Sequence, residues 1–136
     1  MSKPRILIVE DEAITATDLK HQLIADGYEV VGIANTTSEA VRIAGEAKPE
    51  VVLMDVTLAG PLDGVTAAIA IRGFGIPVVF LTAHTDYGTI ERATLAGAFG
   101  YLVKPFHETE LKAAISVALH KHQTEVERTL SSTRVP

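Results

Sequence analysis

Short apolar runs alternate with amphipathic stretches along this chain, and the alternation repeats five times. The runs are Arg5–Val9, Glu29–Ala34, Val51–Met54, Pro77–Leu81 and Gly100–Val103. They are rich in Val and Ile and nearly continuous, the pattern of strands buried on both faces. The stretches between them carry helix signals. Ala13–Asp26 places Leu19, Leu23 and Ile24 on one stripe, and Gly27 supplies a stop. Thr36-Thr37-Ser38-Glu39 has the spacing of a capping box, so a helix opens there and runs to about Ala47, ahead of Pro49. Gly64–Arg72 and Tyr87–Ala96 predict the third and fourth helices, the latter ended by Gly97. Glu108–His122 predicts the fifth, with Leu111, Ile115 and Leu119 at helical spacing.

Five strand–helix units in a row imply one α/β domain, a doubly wound parallel sheet covered by helices on both faces. Such sheets bind ligands at the carboxyl ends of their strands, so the residues just past each apolar run are the ones to inspect. Glu10, Asp11 and Glu12 follow the first strand and Asp55 the third. Thr82 and Ala83 follow the fourth, and Lys104 with Pro105 the fifth.

Composition narrows the possibilities. A length of 136 residues with 47% apolar content suits one domain with its own core. The absence of cysteine rules out a disulfide framework and fits a reducing cytoplasm. A net charge of −5 argues against a broad nucleic-acid-binding surface. Ile6–Val9 stops at once against three acids, too short for an export signal of about 7–15 apolar residues. These features together predict a cytoplasmic protein.

Glu10, Asp11 and Asp55, brought together at one edge, would repel one another unless a cation joined them. Mg²⁺ takes one or two carboxylates, keeps waters and leaves room for phosphate oxygens, and Mn²⁺ can substitute. A carboxylate beside such an ion can attack phosphorus. Thr82 could donate a hydrogen bond to one phosphoryl oxygen, and Lys104 could pair with another as a compact charge. A cis bond before Pro105 would aim Lys104 inward. Each residue alone has an ordinary explanation as a helix-start acid, a cap, a strand end or an exposed lysine. Their joint placement points to phosphoryl chemistry.

At these residues the sequence resembles the receiver domains of two-component response regulators. The matching motifs are Ile6-Leu7-Ile8-Val9-Glu10-Asp11-Glu12, Val52-Leu53-Met54-Asp55, Phe80-Leu81-Thr82-Ala83 and Gly100-Tyr101-Leu102-Val103-Lys104-Pro105-Phe106. The resemblance implies a flavodoxin-like sheet of order 2-1-3-4-5. It makes Asp55 the phosphoacceptor, with Mg²⁺ held by Glu10, Asp11, Asp55 and the backbone carbonyl of Thr57. Thr82 becomes the switch hydroxyl, Lys104 the phosphate-binding lysine and Tyr101 the aromatic whose rotamer reports the state. Ala83 leaves room for a phosphodonor. The donor is expected to be a histidine kinase or histidine phosphotransfer protein. The output is expected on the face of the fourth helix, fifth strand and fifth helix, and a weak homodimer through that face is compatible with the resemblance. One departure stands out: the loop from Val56 to Gly64 reaches its Asp-Gly pair one residue later than the commoner pattern.

The expected domain covers residues 4–122. From His120 onward the chain turns polar, and residues 123–136 read either as a frayed helix end and tail or as a helical linker toward a second module. The competing function is an enzyme, a Mg²⁺-dependent phosphohydrolase of the haloacid-dehalogenase type with an Asp nucleophile. That family places an acid two residues after the nucleophile, where this chain has Thr57, and puts the nucleophile on the first strand. The expectation is therefore a non-enzymatic switch, capable only of its own phosphorylation and dephosphorylation.

Overall fold

A computed structural model of the chain describes residues 3–55, 64–82, 91 and 100–134. Its elements are β1 (Arg5–Val9), α1 (Ala13–Ala25), β2 (Glu29–Ala34), α2 (Thr37–Ala47), β3 (Val51–Asp55), α3 (Gly64–Arg72), β4 (Val78–Thr82), β5 (Gly100–Val103) and α4 (Glu108–Arg134). The helix expected over Tyr87–Ala96 lies outside the described residues. All strand pairs are parallel, and the sheet order is β2-β1-β3-β4-β5.

Side chains on adjacent strand residues point to opposite faces, and this alternation splits the core in two. Leu7, Val9, Val52, Met54, Val78 and Phe80 pack against Ala40 and Ala44 of α2 and Ala67, Ala68 and Ile71 of α3. Ile6, Ile8, Val51, Leu53, Val79 and Leu81 pack against Leu19 and Leu23 of α1 and Leu111, Ile115 and Ala118 of α4. Hence β1, β3 and β4 read as continuous apolar runs: both faces are covered. On the edge strand β2, the register slips between Ile6 and Leu7, whose partners are Val30 and Gly32, leaving Val31 as an extra residue.

Helix ends follow the local chemistry. The Thr36 hydroxyl accepts a hydrogen bond from the Glu39 N–H at 3.1 Å, capping α2. Gly27 has φ +95°, a left-handed conformation that stops α1 and that a side chain would strain.

Several boundaries differ from the sequence reading. β3 and β4 each run one residue further, to Asp55 and Thr82, because both still pair with the neighbouring strand, at Leu81 and Val103. β4 begins at Val78 rather than Pro77, which has no N–H to donate. The largest correction concerns the last helix, which does not end near His122 but continues to Arg134, about 40 Å in all. No Gly or Pro interrupts the chain between Phe106 and Val135. Thr124 also ties its hydroxyl back to the His120 carbonyl at 3.0 Å.

The cap on α2 yields a stability prediction. Thr36→Ala should lower the unfolding free energy by about 1 kcal/mol, because the Glu39 N–H loses its acceptor. Thr36→Ser should restore it, as measured by urea denaturation.

Candidate functional site

Strand register builds the site before any side chain is considered. Val9 pairs with Met54, so the next residue, Glu10, lies across from Asp55 at the end of β3. Thr82 pairs with Val103, which sets Lys104 one step past it. Backbone hydrogen bonds hold these ends in place. The Glu10 N–H donates to the Ala34 carbonyl at 3.0 Å, and the Lys104 N–H donates to the Thr82 carbonyl at 2.7 Å.

The side chains then converge. Lys104 Nζ donates to Glu10 Oε2 and to Asp55 Oδ2, at 3.0 Å each. The other Glu10 oxygen, Oε1, accepts from the Glu12 backbone N–H at 3.2 Å. Glu10 is 1% exposed, Asp55 6% and Thr82 4%, while Asp11 faces water. One carboxylate oxygen from each of Glu10, Asp11 and Asp55 lies within 4.8 Å of the other two.

Burial raises the pKa of the Glu10 carboxyl above 4.5. The hydrogen bond from Lys104 works against that rise, and Asp55 adds to it. Burial pulls the Lys104 ammonium down, but its bonds to Asp55 and Glu10 outweigh that, and its pKa lies above 10.5. When ionised, three carboxylates and one ammonium leave two net negative charges in a small volume, the charge a divalent cation cancels. The donors are hard oxygens, and Asp11 is open to water, which suits an ion that retains part of its hydration. The residues present thus fit Mg²⁺ or Mn²⁺, with Glu10, Asp11 and Asp55 as the side chains that would hold it.

The structure brings together Glu10, Asp11, Asp55 and Lys104, with Thr82 buried at the end of the adjoining strand. The Lys104–Pro105 peptide is cis. Tyr101 lies on β5 with 47% of its surface exposed. Thr57 and Ala83 lie outside the described residues. Two features went unread in the sequence. One is the bond from the Glu12 N–H to Glu10, which is a backbone contact and leaves no side-chain signature. The other is that Lys104 grips Glu10 and Asp55 directly, contacts made across 94 and 49 residues.

Residues 6–116 match the family described as the response regulator receiver domain. The transcriptional regulatory protein PdtaR of Mycobacterium tuberculosis is 45% identical over 118 residues, covering 86% of this chain and 57% of that protein. The phyllosphere-induced regulator PhyR of Methylorubrum extorquens is 38% identical, covering 88% of this chain and 45% of its own length. The chain thus spans about half the length of these relatives. Among solved structures, the signal receiver domain of a modulated diguanylate cyclase from Desulfovibrio desulfuricans G20 superposes with a TM-score of 0.85. It is 39% identical and covers 91% of this chain and 99% of that one. A CheY-like receiver domain protein from Methanospirillum hungatei gives 0.82 at 26% identity, covering 91% and 99%.

Lys104→Met would leave Glu10 and Asp55 facing each other without a counter-charge. Removing one partner of a buried pair costs on the order of 3–5 kcal/mol. Lys104 keeps a quarter of its side-chain surface, so about 3 kcal/mol is expected at pH 7 without divalent cation, by urea denaturation. The sign with pH follows from Glu10. Its raised pKa means the cost of its charge is complete above that value and disappears as pH falls through 4.5. The Lys104 contribution, by contrast, is fully present below pH 10.5 and is lost only as pH rises through its raised pKa. The deficit of Lys104→Met should therefore shrink between pH 7 and 4.5. A deficit constant over that range would show that the carboxylates are not the groups left uncompensated.

Proposed function

This chain belongs to the response regulator receiver domains of two-component signalling, and on that footing we propose that it is a phosphorylation switch with Asp55 as its phosphoacceptor. The observation that carries the reading is the single ammonium of Lys104 bridging Glu10 and Asp55 within reach of Asp11.

In this reading an Asp55 carboxylate oxygen bonds to the phosphorus of a phosphorylated histidine on a kinase or phosphotransfer protein, the phosphorus–nitrogen bond breaks, and its electron pair departs on the imidazole nitrogen of the donor. Lys104 then moves its hydrogen bonds from the carboxylate to a phosphoryl oxygen, and Thr82 donates to another. Positioning and charge neutralisation do most of the work in such transfers, more than acid–base chemistry. Mg²⁺, bound by Glu10, Asp11, Asp55 and the Thr57 carbonyl, would supply the positive charge that offsets the incoming oxygens. Ala83, small, leaves the approach open. The chain acts on no separate substrate: it takes up the phosphoryl group and hydrolyses it from itself. Asp55 ends the third strand with Thr57 two residues beyond, and the matches give no support to a phosphohydrolase.

The domain covers residues 4–122, and the helical stretch after it is a tail or a linker toward an output partner or module. The chain works in the cytoplasm. This segment makes no contact with nucleic acid or membrane, and among the described residues no helix is long and apolar enough to cross one. Output passes through the face of the fourth expected helix, β5 and α4, on which Tyr101 lies with 47% of its surface exposed. Any weak homodimer would form through the same face.

Two experiments test this. Acetyl phosphate with Mg²⁺ should add one phosphoryl mass to the intact protein and none to Asp55→Asn. Asp11→Ala should label more slowly and bind Mg²⁺ at least ~10-fold more weakly, the lower end of what losing even an outer-sphere partner costs. Labelling that persists in Asp55→Asn would move the acceptor elsewhere. For the output face, amide-resolved NMR with a beryllofluoride mimic should perturb Tyr101 and Tyr87–Ala96 as well as the surroundings of Asp55. Charge-assisted bonds contribute about 1.5–3 kcal/mol each, against roughly 5.5 kcal/mol for a swing from 1:99 to 99:1. The mimic alone should therefore give a partial shift, which a partner on the same face completes.

A further inference from the structure

Between α1 and the turn after β5 lies a cleft of about 390 Å³. Its lining is mainly apolar: Leu19 and Leu81 are buried beneath it, and Pro105 and Phe106 form one wall. Gln22 stands on the α1 side, and Asp18 is exposed at the rim. Thr15 lines the cleft too, and its hydroxyl donates to Glu12 Oε2 at 3.4 Å, which brings a second carboxylate to the rim. Among the described lining residues Lys104 is the one cation, and its ammonium is already engaged, 3.0 Å from both Glu10 and Asp55.

We infer that this cleft is a binding site for a small arylalkyl amine, its ring against Leu19, Leu81 and Phe106 and its ammonium at Asp18. Shape and charge each supply one half of that chemistry. Ligand sites of about 300–1,000 Å³ are typically apolar with a few polar groups at fixed places, and this one lies at the small end of that range. A flat ring removes the apolar walls from water and packs on the Phe106 ring. The charge of the partner follows from the rim. When ionised, Glu10, Glu12, Asp18 and Asp55 against the single ammonium of Lys104 leave three net negative charges at and behind the cleft. An anion entering there meets Asp18 and Glu12, and Lys104 can take it only by giving up a carboxylate. A cation meets Asp18 without displacing any contact the structure holds. The carbon stem of Lys104 forms part of the lining, so the bound amine touches the residue that bridges Glu10 and Asp55. The inference does not depend on which residue accepts a phosphoryl group.

Tryptamine is the probe, titrated into the full chain without divalent cation and followed by NMR at the methyl groups of Leu19 and Leu81. Both resonances should move and saturate. Indole-3-acetate, the same ring carrying an anion, should bind about tenfold more weakly, since an exposed charge contact is worth up to about fivefold in either sign. Spermidine, a cation without a ring, should leave both methyl resonances in place. Asp18→Asn alters an exposed side chain and leaves the core intact; it should bring the two indoles to within about threefold. Gln22→Trp, which fills the cleft from the α1 side, should weaken tryptamine by about tenfold, roughly the loss of one buried ring. No methyl shift up to about 10 mM tryptamine, weaker than a millimolar site, overturns the assignment. Equal affinity for the two indoles overturns the part assigned to Asp18 and with it the choice of an amine. A spermidine response that matches tryptamine, or tryptamine binding that Gln22→Trp leaves unchanged, shows that the ring does not sit in the cleft and overturns the site.

Discussion

Three carboxylates within 4.8 Å of one another repel, and two of them are almost fully buried, where water cannot screen the repulsion. Lys104 offsets this with one ammonium shared between Glu10 and Asp55. The exchange is specific to this architecture. Parallel strands all point the same way, so the residues at the carboxyl ends of β1, β3, β4 and β5 must gather at one edge. A residue that solved the charge problem from anywhere else would need a long reach; Lys104 needs only to be the first residue past β5.

The rest of the fold keeps that edge fixed. β1, β3 and β4 carry apolar side chains on both faces, and the two clusters they form clamp the central strands between helix pairs. A slip of one residue in any of these strands would swap the two clusters and also move Asp55 or Thr82 off the edge. Core packing and site geometry are therefore enforced by the same register. The described groups that must hold position sit on strands or within two residues of their ends, where precision is greatest.

This coupling explains how much could be read from the residues alone. Glu10, Asp11, Asp55, Thr82 and Lys104 were identifiable because burial on two faces makes a strand visible as an unbroken apolar run, and the run's end marks the site. Thr36 and Gly27 were legible because caps act within four residues. What escaped was of three kinds. The strand ends at Asp55 and Thr82 are polar residues held in the ladder by backbone pairing, which an apolar pattern does not register. The length of α4 was underestimated because polarity after His120 looked like an end, whereas a helix without Gly or Pro continues on backbone bonding. The cleft beside Lys104 is a product of three elements at once, α1, β4 and the turn at Pro105, and no local stretch of sequence encodes it.

The same contact also limits how the switch can work. In the structure Lys104 is bonded to Asp55 itself, so a phosphoryl group on that oxygen would displace the contact rather than add to it. Phosphorylation replaces one negative charge with about 1.5–2, an excess smaller than a full ion pair. On the proposed reading the driving force would be not a large gain in charge but a relocation: Lys104 would follow the phosphoryl oxygens, and the Glu10 carboxylate would lose part of its partner. Burial raises the pKa of Glu10, so in that state its charge would be offset either by a cation beside it or by a proton. If a divalent ion fills that role, metal binding and phosphorylation would be linked through Glu10, and the phosphorylated form would hold the ion more tightly than the unmodified one.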